Sequence, residues 1–203
     1  MNKLESWVDI PQDSDFSIYN LPFGIFSTVA RGKRIGVAIG DQVIDLSMLA
    51  NKLKLAEKIV ENEYLNDFLA LGKEVTNDVR LKLQEWLSGH DEDPDVKEAM
   101  LSNKDAVMHL PVKVGDYTDF YSSIEHATNL GKLFRPDSEP LLPNWRHIPV
   151  GYHGRASSIV VSGTNIHRPK GQTLPKDAKV PIFGESKWLD FELEMAFITC
   201  KET

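Results

Sequence analysis

Cysteine, glycosylation sequons and long apolar runs are nearly or wholly missing from this 203-residue sequence, and each shortage excludes something. Cys200 is the single cysteine, so no disulfide can close within the chain. No Asn-x-Ser/Thr triplet occurs. The apolar runs fall far short of the ~20 residues a membrane-spanning helix needs. Met1 to Asp9 is polar and charged, without the apolar centre of a signal peptide. These features together set the expectation of a reducing, cytoplasmic setting. Cationic residues are also in deficit: 23 Lys and Arg face 30 Asp and Glu, a formal net charge of −7. A diffuse negative field disfavours nucleic acid and anionic membrane as partners. An anionic small molecule would therefore need a local Arg or Lys cluster, or a metal ion, to hold it.

What is present divides near residue 110. Residues 1–20 read as an extended lead-in. Ile35–Ile39 and Gln42–Leu46 are β-type runs separated by Gly40-Asp41, which predicts a two-residue hairpin. From Ser47 to about Asn103 the pattern is helical: over 77–87, Val79, Leu83, Trp86 and Leu87 share one face, and Gly89 supplies a stop. Asp91–Pro94 reads as a loop before a further short helix. Beyond Met108 an apolar, aromatic stretch leads into a helix from about Ser123 to Phe134. Residues 136–157 and 163–187 read as ordered Pro/Gly-punctuated loops, Ser158–Ser162 as a short strand, and Trp188–Cys200 as a strand. Long loops that carry aromatic and basic residues tend to carry function. The fold class expected is α+β, mostly β with helices. An N-terminal domain over 1–110 precedes a second domain that starts at 111 and runs to 203. Met195–Cys200 is apolar on both faces yet only three residues follow it, so a partial product is expected, or an edge strand in a dimer.

Three clusters carry candidate chemistry. In Leu189-Asp-Phe-Glu-Leu-Glu-Met195, strand alternation puts Asp190, Glu192 and Glu194 on one face, with neighbouring Cβ atoms roughly 6.5 Å apart. Two such carboxylates can converge on one hard cation; a strand with a solvated polar face has the same pattern, and periodicity alone favours that reading. The continuation Met195-Ala-Phe-Ile198, apolar on both faces, weighs against it, because it sets Glu194 beside a buried stretch where an unpaired carboxylate is costly. In Gly115-Asp-Tyr-Thr-Asp-Phe-Tyr-Ser-Ser-Ile-Glu-His126, Asp119 sits among Tyr117, Phe120 and Tyr121, an apolar setting that calls for a charge partner. Ser122-x-x-Glu125 has capping-box spacing, which places His126 in a first helical turn. There the positive end of the helix dipole favours the neutral ring, able to accept a proton. The third cluster is basic and aromatic: Lys132, Arg135, Arg146 and the Gly151-Tyr-His-Gly-Arg155 loop. Arg135 suits bidentate contact with a carboxylate, and Tyr121 or Tyr152 suits a phenolic hydrogen bond. The loop's glycine spacing fits neither a P-loop nor a dinucleotide fingerprint. His109, His147, His153 and His167 show no metal-ligand spacing and read as structural.

These stretches, with Asn20-Leu-Pro-Phe-Gly24, Arg34-Ile-Gly-Val-Ala-Ile-Gly40, His126-Ala-Thr-Asn129, Pro143-Asn-Trp145 and Pro149-Val-Gly-Tyr-His-Gly-Arg-Ala-Ser-Ser158, resemble the core motifs of the fumarylacetoacetase family. The likeness runs from about Asp13 to Phe197. It implies a small SH3-like barrel followed by a mixed β-sandwich roll catalytic domain, incomplete here, working as a homodimer. It also implies Asp119, Glu192 and Glu194 as metal ligands, for Ca2+ with Mg2+ nearby, a donor set that suits hard cations. His126 would be the general base, and Tyr121, Arg135 and Tyr152 would hold a small diketo-acid substrate. The implied reaction is hydrolysis of a carbon–carbon bond in 4-fumarylacetoacetate. Alternatives are acylpyruvate hydrolysis or decarboxylation on the same site, or an inactive fragment acting as a folding or dimerisation module. Family members are about twice as long, and the further half is expected to supply a fourth carboxylate, the acidic partner of the histidine, and oxyanion-stabilising donors.

Overall fold

In the computed structural model, residues 4–148, 150–189 and 191–199 are described. Backbone contacts divide the chain into two compact units, 1–111 with 161–203, and 112–160.

The first unit is organised by the predicted hairpin. Strands β1 (Phe23–Ser27), β2 (Arg34–Ile39) and β3 (Gln42–Asp45) pair antiparallel in sequence order, with Ile39 opposite Gln42 across Gly40-Asp41. Gly40 takes the positive φ of 52° that the tight turn requires. Five helices follow: α1 (Ala50–Leu53), α2 (Glu57–Val60), α3 (Asn66–Ala70), α4 (Lys73–Leu87) and α5 (Pro94–Glu98). The chain then returns as β4 (Met100–Ser102) and β5 (Val107–His109), which pair with β3 and β1 and complete a sheet of order β4-β3-β2-β1-β5. The sheet is open among the described residues, with β4 and β5 as its edges, so the expected barrel is not closed.

Helix α4 begins four residues before the predicted start and buries Val79, Leu83 and Leu87, as its apolar spacing requires. Its last carbonyls, which have no partner inside the helix, accept from the lead-in: Ser6 Oγ donates to Leu87 O at 2.8 Å and Trp7 Nε1 to Trp86 O at 2.9 Å. Helix α5 is capped by Asp93, whose side chain accepts from the Asp95 and Val96 amides, with Pro94 at the first helical position. The core is this sheet and these helices. Among the described residues every buried apolar side chain except Ala127 lies between Val8 and Ala99.

One buried ion pair sits inside it. Arg34 Nε donates to Asp45 Oδ2 at 2.6 Å, and the Arg34 guanidinium carbon lies 4.2 Å from the Phe26 ring centroid. Arg31, the Ser47 amide and the Ser47 hydroxyl complete the donors to Asp45.

The later part of this unit departs from expectation. The loop predicted over 163–187 contains a hairpin, strands β8 (Lys170–Thr173) and β9 (Ile182–Glu185), and no strand forms over 159–162. The predicted strand at 188–200 is also not formed: 187–189 and 191–199 have no regular structure. Phe191, Leu193 and Met195 are 89, 97 and 97% exposed. Alternation marks faces, but a strand exists only where a neighbour supplies the hydrogen-bonding ladder, and among the described residues none does. The burial expected beside Glu194 is therefore not seen. Asp190 and Cys200 lie outside the described residues.

The second unit holds strands β6 (Thr118–Phe120) and β7 (Gly151–His153), paired antiparallel, and helix α6 (Ile124–Phe134). Among the described residues the strands after residue 111 form two paired ribbons, β6–β7 and β8–β9. The whole is α+β, and among the described residues no helix is long and apolar enough to cross a membrane.

Candidate functional site

The predicted site residues of 112–160 fall in three places: Asp119 and Tyr152 on the β6–β7 ribbon, Tyr121 and His126 at the start of α6, and Arg135 at its end. Register places Asp119 opposite Tyr152 and Thr118 opposite His153. The strands approach closely because residue 151 is glycine: a Cβ there would lie 2.5 Å from the Asp119 carbonyl oxygen. The ribbon is extended at one end by Gly154, whose amide donates to Tyr117 O at 2.9 Å and over which the Tyr117 ring lies so closely that a Cβ would sit 1.9 Å from Tyr117 Cζ. Gly151–His153, predicted as loop, is thus a strand, and Gly151 and Gly154 admit the neighbouring backbone and ring.

Across this ribbon the Tyr152 hydroxyl donates to Asp119 Oδ2 at 2.7 Å. In place of the charge partner expected for Asp119 stands a neutral phenol, with Asp119 half-buried and Tyr152 largely exposed. One residue pair further out, His153 Nε2 and Asp116 Oδ1 lie 3.0 Å apart, both exposed. Sequence reading gave His153 only a structural role and did not couple it to Asp116. The cross-strand register is the signal that joins them.

His126 lies in the first turn of α6, as predicted, but the cap is Ser123 and not Ser122. Ser123 Oγ accepts from the His126 amide at 3.2 Å and also contacts Glu125 Oε2 at 3.2 Å. Ser122 and Ser123 are adjacent, and the one whose hydroxyl reaches the amide three residues on becomes the cap. The imidazole is exposed and meets the Tyr121 ring edge-on, centroids 6.2 Å apart at 83°. Tyr121 in turn packs against Trp145, 6.3 Å away at 45°.

Arg135 follows the last residue of α6. Its Nη2 donates to Pro140 O at 2.8 Å, while its Nε is buried with no hydrogen-bond partner among the described residues. An arginine nitrogen left so is a donor waiting for an acceptor.

Glu192 and Glu194 belong to the other unit, on the stretch without regular structure. Asp119, Glu192 and Glu194 each carry carboxylate oxygens, the donor type that suits a hard divalent cation. Among the described residues, no three His, Cys, Asp or Glu side chains form a group able to hold a metal ion.

Fold and site define an α+β chain whose 112–160 unit brings together carboxylate, phenol, imidazole and guanidinium side chains, groups capable of acid–base chemistry. Residues 19–111 match the family described as Fumarylacetoacetase N-terminal. The chain is 51% identical to a fumarylacetoacetase of Caenorhabditis elegans over 96% of its own length and 49% of the relative's. It is 50% identical to that of Rattus norvegicus and 49% to that of Homo sapiens, in each case over 95% of this chain and 48% of the relative. The chain belongs to the fumarylacetoacetase family and spans about half the length of the curated relatives it matches.

Proposed function

We propose that a polypeptide of the relatives' length carrying these residues hydrolyses 4-fumarylacetoacetate to fumarate and acetoacetate, as a cytoplasmic homodimer. Residues 1–110 would serve as a supporting domain, with the catalytic domain beginning at 111. The observation that carries the reading is local: one ribbon and one helix start hold Asp119 hydrogen-bonded to Tyr152, and His126 beside Tyr121.

His126 takes the proton of the attacking water; its backbone is fixed by the Ser123 cap while its ring stays exposed. Tyr121 donates a phenolic hydrogen bond to the substrate's oxygens, and Tyr152 would do so once its hydroxyl turns from Asp119 Oδ2. Arg135 pairs with a terminal carboxylate, and its unpartnered Nε is the donor such a group would take. Asp119, Glu192 and Glu194 would hold a hard divalent cation, Ca2+ or Mg2+, which when bound supplies Lewis-acid stabilisation of negative charge on the diketone oxygens.

In a polypeptide of the relatives' length, His126→Ala is expected to lower turnover by about 10²–10⁴-fold, the contribution of a well-placed base. Substrate binding should be largely kept. Unchanged turnover removes His126 from this role.

A further inference from the structure

We propose that Trp145 is a positioning residue: it sets the Tyr121 ring, whose contact in turn sets the plane of the His126 imidazole. The inference rests on reading His126 as the base.

Among the described residues the imidazole has little else to orient it, and the acidic partner expected from the relatives' further half would act beside this contact. Its backbone is anchored, since the His126 amide donates to Ser123 Oγ, but the side chain beyond Cα is exposed. Among the described residues it has no hydrogen-bond or ion-pair partner, and its ring contact is the near-perpendicular one with Tyr121. A base must present one nitrogen to one proton, so the torsions of an exposed ring have to be narrowed by something. An edge-to-face pair does this, because the favourable quadrupole geometry holds over a limited range of interplanar angles.

Tyr121 can impose a direction only if it is itself held. It is half-buried, and its second ring contact is Trp145. Trp145 stands on a firm base, a single 3-10 turn over Pro143–Arg146. Pro143 fixes the first φ, the Trp145 amide donates to Leu142 O at 3.0 Å, and Asn144 O accepts from both His147 and Ile148, at 2.9 and 3.0 Å. Within that turn Asn144 and Arg146 are exposed while Trp145 is half-buried. The indole is thus the fixed end of a three-ring series that finishes at the imidazole.

The test is heteronuclear NMR of the histidine ring protons in this chain. Trp145→Leu, which fills volume without a ring, is expected to displace the His126 ring resonances. Tyr121→Leu should displace them at least as far, and Trp145→Phe should return them most of the way. His109, in the other unit, is the control and should not move. Displacement of His126 by Tyr121→Leu but not by Trp145→Leu overturns the inference, as does displacement by neither. A measurement without substitution guards against misfolded variants: the unmutated chain should show nuclear Overhauser contacts from Trp145 to Tyr121 and from Tyr121 to His126, and absence of either overturns it.

In a polypeptide of the relatives' length, Trp145→Leu should lower kcat about tenfold, equivalent to about 1.36 kcal/mol, with KM little changed and with rescue by Trp145→Phe. An unchanged kcat overturns the inference. A fully active His126→Ala variant would instead sink the assignment of the base, leaving the NMR result to decide the positioning alone.

Discussion

Residues 8–99 and residues 112–160 are held together by different means. The first region has a sheet and helices around a buried apolar core, with Ile25, Ile35, Leu46, Phe68 and Leu83 essentially inaccessible. The second buries almost nothing apolar beyond Ala127; its order rests on individual pairings such as Tyr152 with Asp119, Gly154 with Tyr117, and Tyr121 with Trp145. Apolar burial is the dominant stabilising contribution in folding, whereas exposed polar pairs contribute little. Stability therefore resides in the first region and candidate chemistry in the second, where side chains that must meet a substrate cannot also be buried in a core.

The largest effect that sharpens this contrast comes from Asp45. Arg34 and Asp45 are only 4% and 2% exposed. Asp45→Ala would strand a buried guanidinium and also remove the acceptor of the Ser47 amide and hydroxyl, at a cost of about 3–5 kcal/mol. Denaturant unfolding should show a large fall in midpoint. A loss under about 1 kcal/mol, the range of a surface pair, would break the picture of a region fixed by its interior. Next in size is Gly36→Ala on β2. A Cβ there would lie 2.7 Å from the Phe26 ring and 2.7 Å from Val43 Cγ1, overpacking that should cost about 1–3 kcal/mol in a thermal melt.

Arg34 also shows what sequence reading reaches and what it does not. The 34–45 hairpin was legible because alternation and Gly40-Asp41 are local signals, and α4 was legible from Val79, Leu83 and Leu87. Its true start was not, although Val75 continues the same four-residue spacing, because Val75 is exposed and no side-chain cap marks Gly72, where the helix begins. The Arg34–Asp45 pair depends on inter-strand placement, which a linear pattern does not display. In the site, His126 in a first helical turn was readable from the serine cap, while the choice of Ser123 over Ser122 turned on one hydroxyl's reach. β7 was hidden inside an apparent loop, because what makes Gly151 a strand residue is the backbone it allows close. The segment near Glu192 failed in the opposite direction: its pattern named two faces, but a pattern cannot supply the strand that pairs with them.

Lys52 gives a smaller effect, with a pH signature. Its ammonium lies 2.6 Å from Asp93 Oδ1, 2.9 Å from Asp95 Oδ2 and 4.7 Å from the Trp86 ring centroid, tying α1 to α4 and α5. Burial alone would push the Asp93 carboxyl up, but the Lys52 hydrogen bond and the Val96 and Asp95 amides outweigh it and hold the group below its ordinary 3.8. Burial likewise works to lower Lys52, and its hydrogen bonds and attraction to Asp93 and Asp95 outweigh that, leaving it above its ordinary 10.5. A carboxyl depressed in the folded state stabilises above 3.8 and loses that contribution as pH falls through its folded value; a raised lysine stabilises below 10.5 and loses it as pH rises through its own. Stability should therefore be level between these limits and fall off at both. Asp93→Asn keeps a capping side chain, so it should flatten the acid limb while costing little helix stability. Asp93→Ala should cost about 0.5–2 kcal/mol. Melting temperatures taken across pH for the two variants separate capping from charge, and an unaltered acid limb in Asp93→Asn would assign it to other carboxylates.

Tyr152→Phe is expected to have the smallest effect on folding, and for that reason it tests the contrast most directly. The substitution removes one hydroxyl, the donor to Asp119 Oδ2, and leaves the ring and the β6–β7 register in place. Because Tyr152 is 60% exposed, water replaces the lost donor and the cost should be about 0.5 kcal/mol, the low end for one hydrogen bond. If the second region is ordered by many small pairings rather than by a core, amide exchange should quicken near Asp119 and Tyr152 and nowhere else. A loss above about 1.5 kcal/mol, beyond the net contribution of one ordinary hydrogen bond, or faster exchange reaching α6, would mean that this pair organises the whole of 112–160. The carboxylate and phenol would then be a structural centre as well as candidate site residues, and the division between a stabilising region and a chemical one would not hold.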